Sequence, residues 1–221
     1  MVEKWQEFYT PIGLVRYISV FTPMAGKPFR PGDAPPPPRY SVEIIIDPKQ
    51  IAQNPKEQKN FEDLKRYCAE LGMDLFPPQK SPDGRVIPGT GYAERVKLKT
   101  CKWPFRDSLE RAGKPGYDEG TQFFRATLDG TKTPPTVVGP DLRPLEERDV
   151  YPGCYGRAKV TAIAYDQGGG QGVKLVLRGF QKARDGAPIV GTSQPATFEE
   201  IESDFMQDQT ESETSAFGGL V

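Results

Sequence analysis

The sequence contains no histidine at all. This absence excludes Ser-His-Asp and Cys-His catalysis, and it excludes zinc sites built on histidine ligands. The three cysteines, Cys68, Cys101 and Cys154, form no C-x-x-C pair, so the sequence indicates neither a zinc ribbon nor a redox dithiol. Scattered, odd-numbered cysteines are typical of a reducing compartment. We therefore expect a protein without a metal site or a cofactor.

Long hydrophobic runs are also missing. No apolar stretch approaches the ~20 residues that a membrane-spanning helix requires. The first 13 residues include Glu3, Lys4 and Glu7 and have no apolar core, so they do not resemble a signal peptide. We expect a soluble cytoplasmic protein that does not associate with membranes.

The composition favours a loop-rich β protein. Hydrophobic residues make up 36% of the chain, and there are 23 glycines and 23 prolines. One helix is predicted at 56–71, where apolar residues recur every three or four positions and Gly72 is a candidate C-cap. Strands are predicted at 14–21, 40–47, 95–103, 121–128 and 136–138.

Charge divides the chain into two parts. The net charge is only −1, from 29 basic and 30 acidic residues. Residues 198–221 hold seven of the acids and no base, which leaves residues 1–197 with a charge of about +6. We expect a folded domain over 1–197 and a disordered acidic tail over 198–221.

The region 151–182 contains two runs of period-2 alternation joined by glycines at 168, 169, 170 and 172. Because alternate side chains of a strand face opposite sides, each run has one apolar face and one face of cations and rings. The glycines allow a tight reversal, so we predict a β-hairpin.

Cations interleaved with aromatic rings occur in three places, around Arg16 and Tyr17, over 97–103 and on the hairpin 155–182. This pattern suits binding of a single-stranded nucleic acid. The alternative is that most of these rings belong to the core and the lysines only keep the protein soluble. From strand register we predict these nucleic-acid contacts: Arg16, Lys97, Lys99, Lys102, Trp103, Tyr155, Arg157, Lys159, Tyr165, Lys174, Arg178 and Phe180.

A metal-dependent nuclease or recombination enzyme is the enzymatic alternative, because clustered carboxylates can hold catalytic metal ions. No spacing among the candidate acids joins them into a site, so we expect a protein that is not an enzyme. The candidates are Asp47, Glu94, Asp118, Glu119 and Asp166.

Three motifs resemble the single-stranded DNA-binding proteins of tailed bacteriophages. They are V-Y-P-G-C-Y-G-R-A-K-V at 150–160, A-Y-D-Q-G-G-G-Q-G-V at 164–173 and L-R-G-F-Q-K-A-R-D-G-A-P-I at 177–189. The resemblance implies an OB-fold, a small Greek-key barrel that binds single strands across one face. With it we expect an all-β, OB-like barrel with one short helix and the disordered acidic C-terminal tail.

The resemblance also implies that the acidic tail contacts replication proteins. In similar phage proteins the tail ends in an aromatic residue, whereas here Phe217 is followed by four more residues. The residues of the predicted partner-binding tail are Glu199, Glu200, Glu202, Asp204, Asp208, Glu211, Glu213 and Phe217.

Together these observations predict a sequence-independent single-stranded DNA-binding protein of phage replication, recombination or repair, in the cytoplasm of a bacterial host. Its tail is expected to compete with DNA and to recruit partner proteins. Weaker binding of duplex DNA and self-association are compatible with this interpretation. A phage structural or adaptor protein, whose acidic tail binds a basic partner, is a further alternative.

Overall fold

The computed structural model describes residues 5–26, 28, 32, 34–167 and 170–189. The predicted tail, with Glu199 to Phe217, lies outside these residues. Within them, no helix is both long and apolar enough to span a bilayer. The described strands are β1 (Glu7–Tyr9), β2 (Gly13–Met24), β3 (Arg39–Ile46), β4 (Phe105–Asp107), β5 (Gln122–Asp129), β6 (Thr136–Val138), β7 (Tyr155–Gln167) and β8 (Gly170–Arg184). The described helices are α1 (Pro48–Ala52), α2 (Pro55–Leu75) and α3 (Tyr92–Lys97), with 3₁₀ turns at Ser108–Arg111 and Glu147–Asp149.

Among the described residues, five strands close into a barrel. β2 pairs with β3, β3 with β5, β5 with β8 and β8 with β7, and β7 returns to pair with the start of β2. All of these pairs are antiparallel except β5–β8. The short strands β1, β4 and β6 add to β7, β5 and β8. A five-stranded Greek-key barrel is the OB-fold architecture, so the predicted fold class is confirmed.

The barrel core is filled by the inward faces of its strands. On β3 the inward residues include Val42, Ile44 and Ile46, each fully buried. Ile45 points to the outer side, where Phe123 of β5 and the loop residue Tyr117 cover it. The run of isoleucines in β3 is therefore buried on both faces of the sheet.

Helix α2 begins at a strong N-terminal cap. The side chain of Asn54 accepts hydrogen bonds from the backbone N–H groups of Lys56 (3.2 Å) and Glu57 (3.3 Å), and Pro55 occupies the first helical position. The prediction that Gly72 ends this helix is wrong, because the helix continues to Leu75.

Gly72 is instead a contact site for another element. A Cβ placed on Gly72 would lie 2.1 Å from Cε1 of Tyr92, the first residue of α3. The absence of a side chain at Gly72 therefore lets the buried Tyr92 ring pack directly on α2.

The prediction of a strand over 95–103 is wrong. Helix α3 covers its start, with a hydrogen bond from the Leu98 N–H to the Glu94 carbonyl (2.9 Å). Lys99 then takes a positive φ of 58°, which ends the helix. Val96 and Leu98 alternate with lysines, but the same spacing fits a short helical turn whose cations face solvent.

We predict that Gly72→Ala destabilises the protein, although alanine is normally preferred to glycine in a helix by about 1 kcal/mol. The added methyl group has no space beside the Tyr92 ring, so α3 must shift. Urea unfolding followed by circular dichroism measures the change.

The control is Lys59→Gly, an exposed position of the same helix. It is expected to lose only the ordinary propensity difference of about 1 kcal/mol. A Gly72→Ala variant as stable as the wild type, or more stable, would contradict the packing described here.

Candidate nucleic-acid interface

A row of side chains crosses the outer face of the barrel at right angles to the strands. Tyr17 of β2 lies opposite Glu43 of β3, and Glu43 lies opposite Arg125 of β5. Lys174 of β8 is the next member of the row. Ala126 of β5 pairs with Leu175 of the parallel strand β8, so the residues just before them, Arg125 and Lys174, also lie side by side. Ile163 of β7 lies opposite Lys174 and completes the row over five strands. We call these five residues the outer row.

Glu43 is the buried centre of the outer row, with 1% of its surface exposed. Its carboxylate accepts hydrogen bonds from Arg111 Nη1 (2.6 Å), from Arg125 Nε (3.1 Å) and from the Tyr117 hydroxyl. A buried carboxylate is stable only when such partners replace water. Burial and the hydrogen bond to Glu43 raise the pKa of Tyr117, so its hydroxyl keeps its proton. The acid thus fixes two guanidinium groups on this face.

The ring of Tyr17 is the aromatic end of the outer row, and 37% of its surface is exposed. The guanidinium carbon of Arg16 lies 4.9 Å from the ring centroid, and that of Arg125 lies 5.8 Å away. Both distances fall within the range of cation–π attraction. The predicted contact Arg16 therefore lies beside an open ring.

Two further arginines lie beside this face. The guanidinium carbons of Arg106 and Arg111 lie 5.0 Å and 4.6 Å from the ring of Phe123. Arg106 also forms an ion pair with Glu110, which offsets its charge. Neither arginine was among the predicted contacts, because the three residues of β4 are too few to show alternation and Arg111 lies in a 3₁₀ turn. Arg125 was not predicted either, although the predicted strand 121–128 contains it and alternation could have placed it outward.

The other end of the outer row leads to the tip of the β7–β8 hairpin. The ammonium group of Lys174 lies 5.2 Å from the ring centroid of Tyr165. Lys102 joins the hairpin through its backbone, donating to the Gln171 carbonyl (2.8 Å) and accepting from the Val173 N–H (3.0 Å). Lys99 and Lys102 line a cavity of about 350 Å³ at the tip, together with Asp166, Gly170 and Gln171.

Gly172 allows the backbone of Lys102 to lie directly against the hairpin. Its φ is +143°, and a Cβ there would lie 2.3 Å from the carbonyl oxygen of Lys102. Only glycine allows the two backbones to approach this closely.

A sequence model of the family described as "Enterobacter phage Enc34, ssDNA-binding protein" matches residues 86–214, more than half of the chain. The chain belongs to this family. The resemblance to phage single-stranded DNA-binding proteins, first indicated by the motifs around the hairpin, is thereby confirmed. A search of curated protein sequences returned no match.

Solved structures of phage proteins share the fold of this family member. The single-stranded DNA-binding protein of bacteriophage Enc34 in complex with ssDNA is 14% identical, with a TM-score of 0.56 over 83% of this chain and 89% of that one. The gp2.5 single-stranded DNA-binding protein of bacteriophage T7 is 17% identical, with a TM-score of 0.50 over 89% of this chain and 98% of that one. At these identities the likeness shows the shared fold alone.

The predicted contacts on the hairpin do not form a single patch. Tyr155 and Tyr165 lie ten positions apart on β7, which is roughly 33 Å along a strand at about 3.3 Å per residue. Both rings are half-buried, and the Tyr155 ring is covered by the guanidinium of Arg184 at 3.5 Å. Tyr155 therefore lies at the opposite end of strand β7 from Tyr165 and the hairpin tip.

Two predicted cations at that end already have partners. Lys159 Nζ lies 2.6 Å from the carboxylate of Glu7, and this hydrogen bond raises the pKa of the lysine. Arg157 donates two hydrogen bonds to Gln181 Oε1 (2.9 and 2.8 Å) and lies 4.6 Å from the Tyr9 ring. The charge of Lys159 is thus offset by Glu7, whereas Arg157 keeps its charge but has two of its N–H donors committed to Gln181.

The prediction that Phe180 is an exposed stacking ring is wrong, because only 2% of it is exposed. The pairing register shifts between Lys159 and Val160, which leaves an extra residue on β8 near Arg178. This β-bulge reverses the alternation, so Phe180 faces inward opposite Ala158. Its ring occupies the space that a side chain on Gly156 would need, since a Cβ there would lie 2.4 Å from Phe180 Cζ.

Trp103 and Lys97 do not belong to the outer row, because Lys97 is the last residue of α3 and Trp103 follows that helix. They line a cavity of about 500 Å³, and the Trp103 ring packs edge-on against Phe105 at 5.8 Å. Trp103 is half-buried against the core, so only part of its ring is available to a ligand.

Three of the five acids considered for a nuclease site have local structural partners. Asp47 caps α1 by accepting from the Lys49 N–H, Glu94 accepts from the Gly89 N–H, and Asp166 accepts from Gln171 Nε2. Within the part of the chain that the structure describes, no group of three His, Cys, Asp or Glu residues could hold a metal ion.

We predict that Phe180→Ala lowers the free energy of unfolding by about 3–5 kcal/mol, as expected when a buried phenylalanine leaves a cavity. Phe180→Leu should lose less, because it refills part of the space. Urea denaturation measures both variants. Weaker oligonucleotide binding by either variant at unchanged stability would place this ring on the surface and contradict the bulge.

Proposed function

We propose that this protein binds single-stranded DNA without sequence preference, along the outer row and the hairpin tip. The observation that carries the proposal is the arrangement of Tyr17, Arg125, Lys174 and Tyr165, in which two accessible rings flank two cations on one continuous face. Family membership supports the same function.

The geometry explains how such binding avoids reading sequence. Every base has a flat face, so stacking on tyrosine rings is tolerant of base identity. Phosphates bind to the cations through charge, which is also independent of sequence. The outer face of OB-fold strands commonly binds oligonucleotides, and here it carries Arg16 and Arg125 beside Tyr17.

The proposed role is that of a coating protein and not of an enzyme. By covering single strands it would act in phage DNA replication, recombination or repair. In this proposal residues 1–197 form the DNA-binding domain, and residues 198–221, with seven acids and no base, form a separate acidic segment.

The acidic segment would regulate access to the interface. A tethered polyanion has an effective concentration of ~mM near a positively charged face, so it competes with DNA. DNA that displaces it frees the segment to recruit basic surfaces of replication proteins.

We predict that Lys174→Ala weakens binding to oligo(dT) several-fold and lowers the slope of log K against log salt by about 0.7, the value for one phosphate contact on a single strand. Fluorescence anisotropy over a salt series measures both. Lys59→Ala is the charge-matched control, because Lys59 is exposed on α2.

Equal effects of the two variants would remove Lys174 from the interface. Cleavage of the oligonucleotide when Mg²⁺ is added would contradict a purely binding role.

We predict that deletion of residues 198–221 tightens DNA binding, most strongly at low salt, because the competing polyanion is removed. A full-length variant with all seven acids changed to their amides separates charge from length and should bind as the deletion does. If neither variant gains affinity at low salt, the segment does not compete with DNA.

A further inference from the structure

A groove of about 690 Å³ runs along β5 and β8 on the outer side of the barrel. Four cations line it: Arg39, Lys132, Lys174 and Arg178. Lys174 also belongs to the outer row, so the groove continues the positive face beyond that row.

The acid that lines the same groove is already engaged. The carboxylate of Asp129 accepts hydrogen bonds from the backbone N–H (2.9 Å) and the hydroxyl (2.7 Å) of Thr131, and these bonds lower its pKa. Asp129 therefore stays ionised, and four cations against this one carboxylate leave the groove with an excess of positive charge.

Trp5 forms one side of this groove and is 61% exposed. It lies two residues before Glu7, which pairs with Thr161 of β7. The same Thr161 hydroxyl accepts a hydrogen bond from Arg178 Nε (3.2 Å), and the guanidinium carbon of Arg178 lies 5.9 Å from the Trp5 ring. The pairing of β1 with the hairpin thus places an indole beside a fixed cation.

An indole exposed to this extent leaves apolar surface in water, and burying that surface against a ligand is favourable. A flat, partly apolar ligand that also carries negative charge would cover the ring and neutralise the groove. An unpaired nucleotide has both properties, since its base offers a face for stacking and its phosphate offers charge.

We infer that Trp5 is a stacking platform for a nucleobase, and that Arg39, Lys132 and Arg178 hold the adjoining phosphates. This inference rests on the proposed function and extends the path of the strand from the outer row to the amino-terminal segment. It also explains how the protein would prefer single strands over duplex DNA. Bases in a duplex are stacked and paired within the helix, so only a single strand can place a base on Trp5.

The test compares Trp5→Ala with Tyr9→Ala on single-stranded oligo(dT) and on a duplex of equal length. Tyr9 is the matched control, because it is also an exposed ring of the amino-terminal segment beside a guanidinium, that of Arg157 at 4.6 Å. Tyr9 does not line the groove. Trp5→Ala is expected to bind the single strand about tenfold more weakly, with its duplex affinity unchanged, whereas Tyr9→Ala binds both as the wild type does.

Intrinsic fluorescence gives an independent readout, because the chain contains only 2 tryptophans. The quenching that oligo(dT) causes in the wild type is compared with that in Trp5→Phe, which keeps only the Trp103 indole. A stacked base at Trp5 predicts substantially less quenching in the variant.

The outcomes separate this inference from the proposed function. If the wild type does not bind oligo(dT), the proposed function fails and this inference fails with it. If the wild type binds but Trp5→Ala retains full affinity and Trp5→Phe retains full quenching, only this inference is overturned. Equal losses in Trp5→Ala and Tyr9→Ala, or equal losses on single strand and duplex, would also overturn it.

Discussion

Two glycines lie opposite each other where the barrel closes. Gly13 of β2 and Gly156 of β7 are register partners at the point where β2 and β7 pair. A Cβ on Gly13 would lie 2.2 Å from the Ile45 carbonyl oxygen of β3, and one on Gly156 would overlap the Phe180 ring of β8. A side chain at either position would therefore push its strand away from the neighbouring strand just where the sheet closes. The bulge in β8 that turns Phe180 inward therefore belongs to the same closure, because that ring fills the space beside Gly156.

Closure leaves the outer side of the barrel to be organised by polar contacts. Glu43 faces outward from the middle of β3, yet it is buried beneath Arg111, Arg125 and Tyr117. Burying this carboxylate costs desolvation energy that its charged and hydrogen-bonded partners offset. Two guanidinium groups share one carboxylate, so the centre of the face keeps a net positive charge. The arginines are also held in place before a ligand arrives, which reduces the entropy lost on binding.

The sequence was sufficient to predict the elements whose patterns are long and regular. The β7–β8 hairpin is more than ten residues long in each strand, and helix α2 repeats its apolar positions from Phe61 to Leu71, about three turns. The errors fall where a local irregularity decides the outcome. A single extra residue near Arg178 moved Phe180 into the core, and the six residues of α3 were too few to separate a helical period from a strand period. The outer row itself depends on the register among five strands, which no single segment of sequence contains.

Whether a predicted cation is free to bind a phosphate depends on the side chains that it already contacts in the fold. Lys159 forms an ion pair with Glu7 that offsets its charge, and Arg157 has two of its N–H donors committed to Gln181. Lys174 forms no ion pair with any carboxylate in the described ranges, and its ammonium group lies 5.2 Å from the Tyr165 ring centroid. A phosphate at Lys174 therefore displaces only water and counterions, which is the exchange that drives binding to nucleic acids. The sequence does not distinguish these cations as phosphate contacts, because the acid that pairs with Lys159 lies more than 150 positions away along the chain. The fold makes the distinction by adding β1 to β7, so the same short strand that occupies one cation also brings Trp5 to the groove.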